Sequence, residues 1–140
     1  MKNKLQENWD RAIRFALDWE GVYSNDLDDP GGETKYGVSK RSYPDLDIAL
    51  LTKEEAMEIH KRDRWDYMKC DSLQDKLDIM VFDTALNMGV GRAQTILDLT
   101  HEWRDYMMHR ILRYNDLGKN KPMFLRGWLN RVISLWKLLK

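Results

Sequence analysis

Apolar side chains recur along this chain with the period of helices nearly everywhere, and lose it in one stretch. Leu5, Trp9, Ala12, Ile13, Ala16 and Leu17 follow the i, i+3, i+4 rule, and Glu20 continues the stripe four residues after Ala16. Gly21 then stops the helix, since the position after a helix end favours a left-handed backbone. The pattern leaves a carboxylate on the buried side of a helix C-terminus, where burial and the negative end of the helix dipole favour the uncharged acid.

Between residues 23 and 39 the helical period disappears. Asp29-Pro30-Gly31-Gly32 is a strong turn signal, and the alternation Thr34, Tyr36, Val38 after it predicts a small hairpin or β-lobe. Tyr43-Pro44 closes that region. Thr52-Lys53-Glu54-Glu55 reads as a capping box opening a helix toward Tyr67, with Ala56, Ile59, His60 and Asp63 on one face. Leu73, Leu77, Met80, Val81, Thr84, Ala85 and Met88 form the best stripe in the chain, closed by Gly89-Val90-Gly91, and mark the core helix.

Residues 92–114 read as one long helix or two consecutive ones broken near Thr100, ended by Asn115-Asp116-Leu117-Gly118. Pro122 suits the first turn of a last helix with the apolar face Leu125, Trp128, Leu129, Val132, Trp136 and Leu139. Trp128, Val132 and Trp136 are expected to pack against the stripe of residues 73–88. The order predicts a mainly α, α+β fold with a small β-hairpin lobe after the first helix. Without repeats, low-complexity tracts or linkers, residues 1–140 are expected to form a single domain.

Composition narrows the function classes. Six Trp, six Tyr and eight Met beside 33% charged residues describe a globular chain rather than a disordered or fibrous one. Cys70 is the only cysteine and has no disulfide partner, and His60, His101 and His109 lack metal-ligand spacing, so neither metal nor cofactor is expected. Residues 1–10 lack the apolar run of ~7–15 residues that a secretory signal needs. No stretch approaches the ~20 apolar residues of a membrane span, so stable membrane insertion is not expected. Net charge is zero, but residues 119–140 carry six Lys or Arg and no acid. Such a basic tail suits any anionic polymer, yet no helix-turn-helix or other nucleic-acid module accompanies it, and nucleic acid is not the expected partner.

The candidate chemistry lies in the acidic stretch after Glu20. Within fourteen residues come Asp26, Asp28, Asp29, Glu33 and Thr34 in a Gly-rich turn. Glycoside hydrolysis needs one protonated carboxyl to donate to the leaving oxygen and often a second, ionised group to position water. Glu20 fits the first role and Asp29, solvated in a turn, the second. Ordinary turn chemistry accounts equally for Asp, Asn, Pro and Gly here. A calcium loop starting at Asp26 fails, because its fifth and twelfth positions are Pro30 and Gly37. Asp83 and Asn87, four apart on one helical face, read as a satisfied helix end or as cleft residues.

The segment Glu20-Gly21-Val22-Tyr23-Ser24-Asn25-Asp26-Leu27-Asp28-Asp29-Pro30-Gly31-Gly32-Glu33-Thr34-Lys35-Tyr36-Gly37-Val38 resembles the signature of glycoside hydrolase family 108, muramidases of phages and bacteria. Leu51-Thr52 with Ala56, Arg64-Trp65, Asp83-Thr84-Ala85-Leu86-Asn87-Met88-Gly89-Val90-Gly91-Arg92-Ala93 and Gly127-Trp128-Leu129-Asn130-Arg131 resemble further blocks of that family in the same order. The resemblance implies a lysozyme-like fold with a cleft between helices and β-lobe, Glu20 as the catalytic acid, and peptidoglycan glycan strands as substrate.

The spacing of Glu20, Asp29 and Thr34 is also similar to that in phage lysozymes, one residue shorter between Asp and Thr. Asp29 and Thr34 are therefore the candidate water-positioning pair, with Asp26 a competitor for the Asp role. Asp26, Tyr36 and Asn87 make up the candidate substrate-binding set. A monomer is expected, made in the bacterial cytoplasm without a signal peptide and acting on the cell wall after release or delivery. Two alternatives stay open: a lytic transglycosylase using Glu20 alone, and a helical binding protein using the basic last helix.

Overall fold

The structure, a computed structural model, describes residues 1–28 and 30–140. The first helix, α1 (Lys4–Glu20), starts where the Asn3 side chain accepts from the Gln6 N–H at 2.9 Å, a cap that satisfies one of the free amides of a helix start. Its buried face is Asn8, Trp9, Ala12, Ile13, Ala16 and Leu17, whereas Leu5, expected at the start of the stripe, is exposed. Gly21, at φ 74°, turns the chain out of the helix and returns its N–H to Leu17 O.

Three two-residue strands follow, β1 (Tyr23–Ser24), β2 (Thr34–Lys35) and β3 (Val38–Ser39), antiparallel in the order β1-β2-β3. Tyr23 faces Lys35, and Lys35 faces Val38. The alternation Thr34, Tyr36, Val38 therefore does not run along one strand. Tyr36 and Gly37 instead form a two-residue hairpin turn with φ 50° and 78°, positive at both central positions as a type I′ turn demands.

α2 (Lys53–His60) opens with the expected capping box between Thr52 and Glu55. It does not continue as an α-helix to Tyr67. Residues Lys61–Asp66 widen into a π-helical turn, which buries Trp65 completely. The helix expected from Leu73 begins later, as α3 (Leu77–Met88), because Cys70–Ser72 form a short 3-10 turn and Lys76 has φ 77°. Nine consecutive residues from Leu77 to Ala85 are buried, so α3 is the central helix, covered on every side.

Gly89, at φ 91°, ends α3 and starts α4 (Val90–Leu97) directly, so Val90 and Gly91 open a helix rather than close one. The break near Thr100 separates α4 from α5 (Trp103–Gly118), whose start is capped by the Glu102 side chain on Asp105 N at 2.8 Å. Pro122 sits in the first turn of α6 (Pro122–Leu139).

Trp9, Trp65 and Phe82 meet edge to face, with ring centroids 5.3 to 5.8 Å apart, at the centre of the main core. Val38, Ile48, Leu51, Ala56 and Ile59 form a smaller cluster tying the β-lobe to α2, and Tyr36 packs against both. On α6, Val132 is buried and Trp136 packs on the main core. Trp128 departs from expectation: it is half-buried and stacks on Tyr114 of α5 at 5.4 Å.

Candidate active site

Glu20 is the last residue of α1, and its partner comes from the other end of the chain. Arg131 of α6 places Nη1 2.7 Å from Glu20 Oε1. The same guanidinium donates from Nη2 and Nε to the two oxygens of Asp83 in α3, at 2.8 and 3.2 Å. Asp83 also faces Arg110 Nη2 of α5 at 2.7 Å. Arg110 continues through Nη1 to Thr84 Oγ1 at 3.2 Å and through Nε to the Tyr114 hydroxyl at 2.9 Å, and that hydroxyl donates to Asn87 Oδ1.

Two guanidiniums and two carboxylates thus balance in charge, a condition for burying them without large cost. The exposure gradient gives the array a direction: the side chains of Arg110, Asp83 and Arg131 are 0%, 1% and 5% exposed, and that of Glu20 is 23%. Burial pushes the Asp83 carboxyl up, but Arg131 and Arg110 beside it more than offset this and hold it below the ordinary carboxylate range. The expectation of Glu20 in apolar surroundings is corrected here. It is the half-exposed end of an ionic array that joins four helices.

The β-lobe supplies the second wall. A Cβ on Gly37 would lie 3.1 Å from Glu20 Cγ and 3.2 Å from His60 Nε2, so the hairpin turn presses against both side chains. His60 Nε2 is 2.7 Å from Tyr36 O, and a carbonyl can only accept, so Nε2 carries the proton. Nδ1 is then left to accept from Arg64 Nη1 at 3.3 Å. Burial pulls the imidazole down to about 4, which keeps it neutral near neutral pH. His60, read from sequence as sharing a helical face with Ala56 and Ile59, is a fully buried strut under the turn.

One helical turn from Arg131, along both α3 (Asp83 to Asn87) and α6 (Arg131 back to Trp128), an open cleft of about 350 Å3 begins. Asn87, Arg92, Arg113, Tyr114 and Trp128 line it, with the Tyr114–Trp128 stack as an aromatic floor.

The other sequence-predicted residues are distributed as follows. Asp26 is exposed, and its carboxylate accepts from Asp28 N at 2.9 Å, an Asx turn that organises its own loop. Thr34 is half-buried in β2, its hydroxyl donating to Gly32 O at 3.2 Å. Tyr36 contributes its carbonyl to His60 while its ring fills the junction of the two cores. Asp29 lies outside the described residues. Among the described residues, no group of three or more His, Cys, Asp or Glu is placed to hold a metal ion. None of their helices is long and apolar enough to cross a membrane.

Arg131, Arg110, Gly37 and His60 were not singled out from sequence, although a signal existed for two of them. Arg110 falls in the stripe Trp103, Tyr106, Tyr114, and Arg131 falls between Trp128 and Leu135. An arginine on an apolar face must find a buried anion, and Asp83 on the core helix is the matching charge.

The family model described as Glycosyl hydrolase 108 matches residues 13–89, a span that holds Glu20, the β-lobe, His60 and Asp83. Among solved structures, that of Brucella abortus SagA is similar, with a TM-score of 0.79 over 93% of this chain and 92% of that one. At 20% sequence identity the likeness is one of fold. No curated protein matches the sequence.

Proposed function

This chain belongs to glycosyl hydrolase family 108, and we propose that it is an N-acetylmuramidase. It hydrolyses the β-1,4 bond between N-acetylmuramic acid and N-acetylglucosamine in peptidoglycan, with Glu20 as general acid and Asp29 and Thr34 positioning water. The observation that carries the reading is the seating of Glu20. One oxygen is fixed by Arg131, the carboxylate is partly open to solvent, and its stem is braced by the Gly37 turn.

In the step proposed, Glu20 takes a proton from solvent on Oε2, the oxygen that Arg131 does not hold, and gives it to the glycosidic oxygen as the bond to the anomeric carbon breaks. A water oxygen bonds to that carbon and its proton passes to the Asp29 carboxylate. Solvent exchange then restores both groups. The Thr34 hydroxyl, which among the described residues donates to Gly32, has lone pairs with which to accept from that water. With Asp29 taking the proton of the water and forming no bond to the sugar, water enters opposite the leaving oxygen, so the reaction inverts the anomeric configuration.

Digestion of purified cell wall by the whole chain tests this. Wild type should release muramic acid with reducing ends, and Glu20→Gln should lose at least ~100-fold of the rate while keeping its circular dichroism. Anhydromuramic products would replace hydrolysis by transglycosylation. A folded Glu20→Gln retaining more than a tenth of the rate would remove Glu20 from the acid role.

A further inference from the structure

The cleft beside the catalytic array contains two cations that the glycosidic step leaves unused. Arg92 of α4 and Arg113 of α5 line it, and among the described residues no Asp or Glu does. Among the described residues Arg92 has no ion-pair partner. Arg113 reaches the exposed Asp116 only through Nη1 at 3.3 Å, while its Nε is buried without a hydrogen-bond partner. A guanidinium with an unmatched buried donor, next to a second guanidinium and an aromatic stack, is arranged to receive a planar anion.

We propose that this cleft is a subsite for a carboxylate on the lactyl-peptide branch of the muramic acid residue next to the scissile bond, with Arg92 and Arg113 as its ligands. The inference rests on the peptidoglycan reading and adds a specificity to it. The position fits: the cleft begins one helical turn along α6 from Arg131, the residue that holds Glu20, and shares Asn87 and Tyr114 with the array. Its volume of about 350 Å3 lies at the lower end of small-ligand sites, enough for a branch of one sugar rather than for a long strand. Asn87, whose oxygen is held by Tyr114, keeps its amide N–H groups for the same branch. The two arginines act on binding, because the branch carries the same charge before and during the reaction.

The test uses soluble glycan strands in three forms: peptide stems with free carboxylates, the same stems amidated, and strands stripped of stems so that the lactyl carboxylate is exposed. With wild type, amidation should raise KM at least ~10-fold and leave kcat nearly unchanged. Arg92→Gln and Arg113→Gln should each raise KM on free-acid strands by about that factor and no longer respond to amidation. If Arg113→Gln fails to fold because its Nε is buried, Arg92→Gln alone carries the test. Because the stem is joined to the lactyl carboxyl as an amide, a response to amidation assigns a stem carboxylate. Stripped strands binding as tightly as free-acid stems would show that the site also takes the exposed lactyl carboxylate, and stripped strands behaving like amidated ones would confine it to the stem.

Equal KM for free and amidated strands, or wild-type KM in Arg92→Gln, would overturn the subsite while leaving the muramidase reading intact. If wild type cleaves none of the strands, that reading fails instead. Titration of the whole chain with the same strands, followed by tryptophan fluorescence in wild type and Arg92→Gln, then decides the subsite: tighter binding of the free acids by wild type supports it, and equal binding overturns it.

Discussion

Asp83→Asn removes the one carboxylate that both buried guanidiniums of the array share. Asp83 is 1% exposed and meets Arg110 Nη2 at 2.7 Å and Arg131 Nη2 at 2.8 Å. Asparagine has the same shape, but its amide NH2 would point a donor at a donor, and the buried array would hold an excess positive charge. Breaking a buried ion pair by removing one partner costs about 3–5 kcal/mol, a large share of a typical domain stability of ~5–15 kcal/mol. For a chain of this size that lowers Tm by roughly 10–15 °C. Urea unfolding followed by tryptophan fluorescence at pH 7 reads the loss directly.

Two further features identify the cause. Added salt should leave the difference nearly unchanged, because buried charges are poorly screened. The Asp83 carboxyl is held below its ordinary value of 3.8, so its stabilisation is complete above that pH and disappears as pH falls through the lower folded value. The gap between wild type and variant should therefore close in strong acid. Adding Arg110→Met to Asp83→Asn restores charge balance and should recover part of the loss. A loss below ~1 kcal/mol for Asp83→Asn, or no recovery in the double variant, would refute the account of the array.

Three other outcomes are expected. His60 is held neutral, with its folded value near 4 against 6.5 when unfolded, so its stabilisation is complete above 6.5 and lost as pH falls toward 4. That loss is on the order of 3 kcal/mol, and His60→Gln should flatten the unfolding free energy across this window. Gly37→Ala combines positive φ with a contact 3.1 Å from Glu20 Cγ, whereas Gly89→Ala at φ 91° meets nothing within 4 Å. Both should lose about 1–2 kcal/mol of stability, but only Gly37→Ala should also lose wall-degrading rate, by ~10-fold or more; equal activity in the two would show that the hairpin does not position Glu20. Asp29→Ala should abolish turnover more strongly than Asp26→Ala, and NMR of the first-formed anomer should show inversion. Retention, or the reverse order of the two variants, would remove Asp29 from the water.

Local periodicity carried much of the fold. The stripe to Glu20, the Gly21 stop, the Thr52 capping box, the break near Thr100 and Pro122 at the start of the last helix all depend on neighbours within a turn or two, and each was legible in the sequence. The lysozyme-like order of helix, small β-lobe and helices followed from them and from the resemblance of the Glu20 to Val38 segment. Failures came where distant residues overrule local preference. Leu73 is periodic with α3 yet lies outside it, because the chain breaks at Lys76 to let Trp65 and Cys70 reach the core. The Thr34, Tyr36, Val38 alternation looked like a strand but bends at Tyr36-Gly37, where a turn beneath Glu20 is braced by His60. The ionic array was the least legible element, since its members stand at positions 20, 83, 110 and 131. Each alone is an ordinary charged residue on a helix. Only packing α1, α3, α5 and α6 against one another brings each within reach of the opposite charge that compensates its burial, and that coupling is a property of distances in space that no local spacing contains.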